Sequence, residues 1–116
     1  MSQFYYGVIE GFYGRQWSWQ IRRGYAAFLR RFGFGAYIYA PAFLRSRWRE
    51  MHPADEQMEL HQLAAEYRRQ GVKWGLGLSP LGLGEKYLQQ DKDQLVDKVR
   101  FINDLDPDIL CILFDD

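Results

Sequence analysis

The sequence predicts an α/β protein built on parallel strands, and three observations carry that expectation. Short apolar runs alternate with amphipathic helical stretches, those stretches are long enough to cross back over a sheet, and the last apolar run has no polar interruption. Residues 5–9 form the first run, an aromatic and aliphatic strand closed by Glu10-Gly11. Beyond the loop Gly11-Phe12-Tyr13-Gly14, the residues Ile21, Tyr25, Phe28, Leu29 and Phe32 recur at helical spacing, with Arg22, Arg23, Arg30 and Arg31 off that stripe. Gly33 ends the helix. Residues 36–39 make a second strand, stopped by Pro41, which cannot donate to a ladder. Pro53 suits a first helical turn, and Asp55 and Glu56 lie near the positive helix end. Leu60, Leu63, Ala64 and Tyr67 form that helix's buried stripe, and Arg68, Arg69 and Gly71 stop it. Residues 74–78 are a third strand ending at Ser79-Pro80. Leu95, Val99 and Ile102 mark a third helix, and residues 109–114 read as a strand buried on both faces. The order is βαβαβαβ, which fits both a barrel and an open doubly wound sheet.

The chain has 116 residues and is 47% hydrophobic, enough for one packed domain without a linker or low-complexity tract. Its formal net charge is zero, so no basic field draws in nucleic acid or an anionic membrane, and neither partner is expected. No apolar run reaches the roughly 18 residues of a membrane span, and the first residues lack a secretory pattern, so a cytoplasmic location is expected. The lone Cys111 sits in an apolar strand and reads as a core residue. Aromatic residues make up 17% of the chain and crowd into its first half, where they serve packing or a carbohydrate site. Nucleotide binding loses support: no Gly-x-Gly-x-x-Gly follows the first strand, and the glycines around the third strand lack a P-loop Lys-Ser or Lys-Thr.

In parallel α/β proteins the ligand lies outside the carboxyl ends of the strands. Those ends carry Glu10-Gly11-Phe12-Tyr13-Gly14-Arg15, then Tyr39-Ala40-Pro41, Ser79-Pro80, and finally Asp115-Asp116. Two adjacent carboxylates after a wholly apolar strand are costly to desolvate, which points to chemistry, although a helix cap or a solvated loop is the plainer alternative. Such a pair serves metal binding or acid catalysis. His52 and His61 lie at or in the second helix and read as surface residues, so no metal is expected. Sugar hydrolysis uses the pair better, because one acid stays protonated for the leaving oxygen while its neighbour stays charged.

Several strand-end motifs in order then give a resemblance: Gly7-Val8-Ile9-Glu10-Gly11-Phe12-Tyr13-Gly14-Arg15 with Trp17, Tyr37-Ile38-Tyr39-Ala40-Pro41, Trp48-Arg49-Glu50, Leu78-Ser79-Pro80, and Leu113-Phe114-Asp115-Asp116. Nearly end to end, the chain resembles glycoside hydrolase family 84, the β-N-acetylglucosaminidase and O-GlcNAcase family. The resemblance implies a (β/α)8 TIM barrel and retaining, substrate-assisted hydrolysis of a GlcNAc-bearing glycan or glycoprotein through an oxazoline. It implies no cofactor. By position, Asp115 polarises the acetamido nitrogen and Asp116 is general acid and then base. Gly11 meets the sugar through its backbone, and Tyr13 walls the pocket. One departure stands out. The family's lysine after Tyr-Ala-Pro is absent, the chain running Pro41-Ala42-Phe43-Leu44, and the stretch to Trp48 is short. Arg45 or Arg47 are poor replacements, an arginine fork being no lysine point charge.

A full barrel takes roughly 250 residues, so residues 1–116 are expected to supply its first four strands and three helices as one half-barrel unit. By itself such a unit is expected to be inactive and to self-associate through open edges. The alternative of a different class is a non-catalytic or degenerate sugar-binding barrel, and a third reading is a related hyaluronidase-like or hexosaminidase-like enzyme that shares the acetamido chemistry and differs in the glycan it accepts.

Overall fold

The computed structural model describes residues 6–11, 17–41, 44–45, 47–80 and 89–113. Four strands and three helices alternate: β1 Gly7–Glu10, α1 Trp19–Arg31, β2 Ala36–Tyr39, α2 Ala54–Gln70, β3 Lys73–Leu78, α3 Gln89–Leu105 and β4 Ile109–Ile112. The strands form one parallel sheet in the order β1-β2-β3-β4. Strand order follows chain order, without the reversal that marks a doubly wound sheet. The register pairs Ile9 with Ile38, Ile38 with Gly75, and Leu76 with Leu110.

Local chemistry explains the boundaries. The Ser18 hydroxyl caps α1 by accepting from the Ile21 amide at 3.2 Å. Gly33, at φ 80°, turns the chain toward β2. Pro53 precedes α2, which has Asp55 and Glu56 in its first turn and Arg68 and Arg69 in its last, both favourable to the helix dipole. Gly71 closes α2 in the left-handed region at φ 73°.

One face of the sheet carries the core. Tyr37, Tyr39, Trp74, Leu76 and Leu78 point toward the helices and cluster with Ala26, Leu29, Leu60, Leu63, Tyr67, Ile102 and Leu105. Tyr37 stacks on Tyr67 with ring centroids 4.8 Å apart. The wholly buried aromatics Trp48, Trp74, Tyr37 and Tyr67 remove roughly 150–250 Å² each from water and dominate the packing. The opposite face is smaller and lines an open depression with Gly7, Ile9, Ala36, Ile38 and Ile109. There Gly75 permits close strand approach: a Cβ on it would lie 2.8 Å from Ile109 Cβ and 2.9 Å from the Ile109 carbonyl oxygen.

The structure corrects several expectations. Glu10 is the last residue of β1, one place beyond the expected strand end at Ile9. In α1 the buried residues are Arg22, Ala26 and Leu29, while Ile21, Phe28 and Phe32 are exposed. The aromatic stripe is real, with Trp17, Tyr25, Phe28 and Phe32 in ring-to-ring succession at 4.8, 5.0 and 4.7 Å, but only Trp17 and Tyr25 pack against the core while Phe28 and Phe32 are exposed. In β4, Leu110 and Ile112 are exposed and Cys111 is half-buried, so this strand is not enclosed on both faces by the described residues. His52 is buried, against its reading as a surface residue, whereas His61 is exposed.

Candidate active site

Because all four strands are parallel and in consecutive order, their carboxyl ends lie along one edge. Glu10 and Gly11 leave β1 there, with the Ala40 amide donating to the Glu10 carbonyl at 3.0 Å. Ser79, buried after β3, donates its amide to the Leu44 carbonyl at 2.7 Å, which ties the β3 exit to the segment after β2. The Leu113 amide donates to the Leu78 carbonyl at 2.8 Å, so the chain leaves β4 at that same edge. Of the residues singled out by sequence, Gly11 is described and exposed, and among the described residues nothing lies within 4 Å of where a Cβ would stand on it. Tyr13, Asp115 and Asp116 lie outside the described residues.

The edge is anchored beneath by a polar cluster that sequence reasoning does not find. The Glu10 carboxylate accepts from Arg22 Nε at 2.9 Å, Arg22 Nη2 at 2.8 Å, the Tyr37 hydroxyl at 2.5 Å and the Trp17 amide at 3.4 Å. Arg22 lies 4.6 Å from the Trp19 ring centroid and 4.4 Å from that of Tyr39. Its carbonyl accepts from the Tyr67 hydroxyl at 2.9 Å. Burial raises the Tyr37 hydroxyl pKa, and the Glu10 hydrogen bond and charge add to the rise, so the phenol stays a donor. Burial alone would lower the Arg22 pKa; the bond to Glu10 and nearby charge reverse that and hold it raised. A signal for the cluster exists in the spacing. Arg22, Ala26 and Leu29 share one helix face, but the larger aromatics on the neighbouring face dominate the pattern.

The segment after β2 is clamped to α3. Trp48 is fully buried, and the Arg49 guanidinium covers its ring at 4.3 Å while bonding Asp91 at 3.0 Å. Lys98 Nζ donates to the Glu50 carbonyl at 2.5 Å and lies 3.2 Å from His52 Nδ1, while His52 stacks on Phe101 at 4.8 Å. The ammonium makes Nδ1 the acceptor, which puts the neutral ring's proton on Nε2. Burial draws the Lys98 pKa down to about 8, against the opposing charge of Glu50. Leu44, in the stretch after Pro41, is buried in the core, and Arg47 is engaged with Glu50 at 3.0 Å. Among the described residues no three His, Cys, Asp or Glu side chains gather as a metal site, and no helix is long and apolar enough to cross a membrane.

His52 makes stability pH-dependent. Burial and the Lys98 charge lower its pKa to about 4 from an ordinary 6.5. The folded state therefore resists protonation that the unfolded chain accepts, so this contribution is complete above pH 6.5 and lost as pH falls toward 4. The urea midpoint of the parent protein is expected to drop more between pH 7 and 4.5 than that of His52→Gln, which cannot titrate. A constant gap between the two would show that His52 titrates as if solvated.

Comparison with known proteins adds identity to this geometry. Residues 6–116 match the family described as beta-N-acetylglucosaminidase. The chain is similar to the rat and mouse proteins named Protein O-GlcNAcase, each 33% identical over 81 residues, covering 67% of this chain. The matched region spans 9% of the length of each of those relatives.

Proposed function

The chain belongs to the beta-N-acetylglucosaminidase family, glycoside hydrolase family 84, and from that premise we propose that it carries the acid pair of a retaining hydrolase for terminal β-linked N-acetylglucosamine. The observation that carries the reading is the alignment of all four strand ends on one edge, together with a family match that runs through Asp115 and Asp116. The sequential strand order, with the helices' buried faces on a single side of the sheet, supports residues 1–116 as the first four strands and three helices of a (β/α)8 barrel. Catalysis then belongs to the longer protein, since a closed barrel takes roughly 250 residues.

In the proposed reaction the sugar's acetamido oxygen attacks the anomeric carbon and the bond to the leaving oxygen breaks. Asp116 gives that oxygen its proton. Asp115 accepts the acetamido N–H and stabilises the positive charge that develops as the oxazoline closes. Water then adds to the anomeric carbon as Asp116 takes its proton, the oxazoline reopens, and the configuration is retained. The roles require Asp115 to remain charged while Asp116 shuttles the proton. Gly11 and Tyr13 belong to the sugar-facing side in this reading, a GlcNAc-bearing glycan or glycoprotein is the substrate, and no cofactor takes part.

Ala42-Phe43-Leu44 in place of the family's lysine favours a second reading, a degenerate barrel that binds the sugar without cleaving it. The complete protein with 4-nitrophenyl β-N-acetylglucosaminide separates the two. Release of 4-nitrophenolate with retained configuration is expected. Calorimetric binding of an oxazoline-mimicking thiazoline without turnover would favour the degenerate barrel, and neither binding nor turnover would sink both.

A further inference from the structure

We propose that Glu10 is a positioning residue for the sugar pocket: its buried carboxylate ties the exit of β1 to the entry of α1 and thereby fixes the Gly11 backbone. The inference rests on the hydrolase reading above, in which Gly11 faces the sugar. Its basis is geometric. The Glu10 carboxylate bonds the Trp17 amide at 3.4 Å, while Glu10 itself is the strand's last residue and Gly11 follows it directly. Arg22, from the first turns of α1, bonds both carboxylate oxygens, and Tyr37, from the adjacent strand, bonds one of them. Three separate parts of the fold therefore converge on one side chain.

The clamp is stiff because its members are themselves held. Arg22 packs against the Trp19 and Tyr39 rings, and Tyr37 stacks on Tyr67, whose hydroxyl bonds the Arg22 carbonyl. The Glu10 backbone is fixed independently by the Ala40 amide. Gly11 follows immediately, and no atom of the described residues lies within 4 Å of where a Cβ would stand on it. A glycine offers no side chain to grip, so a clamp on the residue before it bears directly on where its backbone lies.

A plain structural ion pair and a positioning clamp predict different kinetics. Loss of a structural pair lowers the amount of folded enzyme, which reduces apparent kcat and leaves KM unchanged. A displaced Gly11 weakens sugar binding in ground state and transition state alike, which raises KM and leaves kcat nearly alone. The test uses the complete protein, with Glu10→Gln, which keeps the shape and removes the charge, and Tyr37→Phe, which removes one donor and keeps the stacked ring. KM for 4-nitrophenyl β-N-acetylglucosaminide and calorimetric Kd for the thiazoline are expected to rise about ten-fold in Glu10→Gln and to rise less in Tyr37→Phe, with kcat within about two-fold of the parent. Should Glu10→Gln not fold, Tyr37→Phe decides the question: a raised KM and Kd in it supports the clamp. Unchanged KM and Kd in a folded variant, or a fall in kcat alone, overturns the positioning role while the parent's turnover keeps the hydrolase reading. A parent protein that neither turns over nor binds the thiazoline removes the reading and this inference together.

Discussion

Asp116→Asn in the complete protein is expected to lower kcat about 10²–10⁴-fold on a substrate with a poor leaving group such as a sugar or serine hydroxyl, the range for loss of a general acid and base. The argument turns on the leaving oxygen. An alkoxide cannot depart unprotonated at neutral pH, whereas a nitrophenolate can, so the penalty for losing the acid is expected to shrink with the leaving group's own pKa. Asp115→Asn removes a charge that stabilises the closing oxazoline, a cost that does not depend on what departs. The two variants are therefore separated by the slope of log kcat/KM against leaving-group pKa, steepened in the first and near the parent's in the second. Equal losses across the series for both variants would show that the assigned roles are wrong, even if each abolished turnover. A loss of one decade is about 1.4 kcal/mol of transition-state stabilisation.

How much of this is legible in the sequence depends on which force sets each feature. The βαβαβαβ order, the second strand at residues 36–39 and the buried stripe Leu60, Leu63, Ala64 and Tyr67 follow from periodicity and from Gly and Pro punctuation, and the structure has them as read. The buried face of α1 departs from its pattern because residue hydrophobicity is a poor proxy for burial there. Arg22 is buried because Glu10, twelve residues earlier on a different element, offers it a partner, and although Arg22 shares a helix face with Ala26 and Leu29, that pairing across elements cannot be read from the helix alone. His52 departs from its surface reading for the same reason: Lys98 and Phe101, which enclose it, come from α3. In β4 the apolar run predicts burial on both sides, and among the described residues only β3 lies beside it. The acid pair and Tyr13 are legible as motifs, and they lie outside the described residues.

Arg22→Met is the stability change with the largest expected effect, about 3–5 kcal/mol, because it leaves a buried carboxylate without its cation. The side chains of Arg22 and Glu10 are 5% and 7% exposed, so water cannot readily replace the lost partner. Methionine is chosen because its length and polarizable sulfur suit the space against the Trp19 and Tyr39 rings, which isolates the electrostatic loss from a cavity. If uncompensated charge is the cause, adding Glu10→Gln to Arg22→Met must recover part of the loss, and the coupling in the double-mutant cycle must be favourable. Urea unfolding at pH 7, with the slopes compared to check that only the midpoint moves, gives each corner of the cycle. A cost below about 1 kcal/mol for Arg22→Met, the range of a solvent-exposed pair, would mean that water reaches the carboxylate. Glu10 would then be a solvated group, and the stiffness attributed to it at the β1 exit would have no physical source.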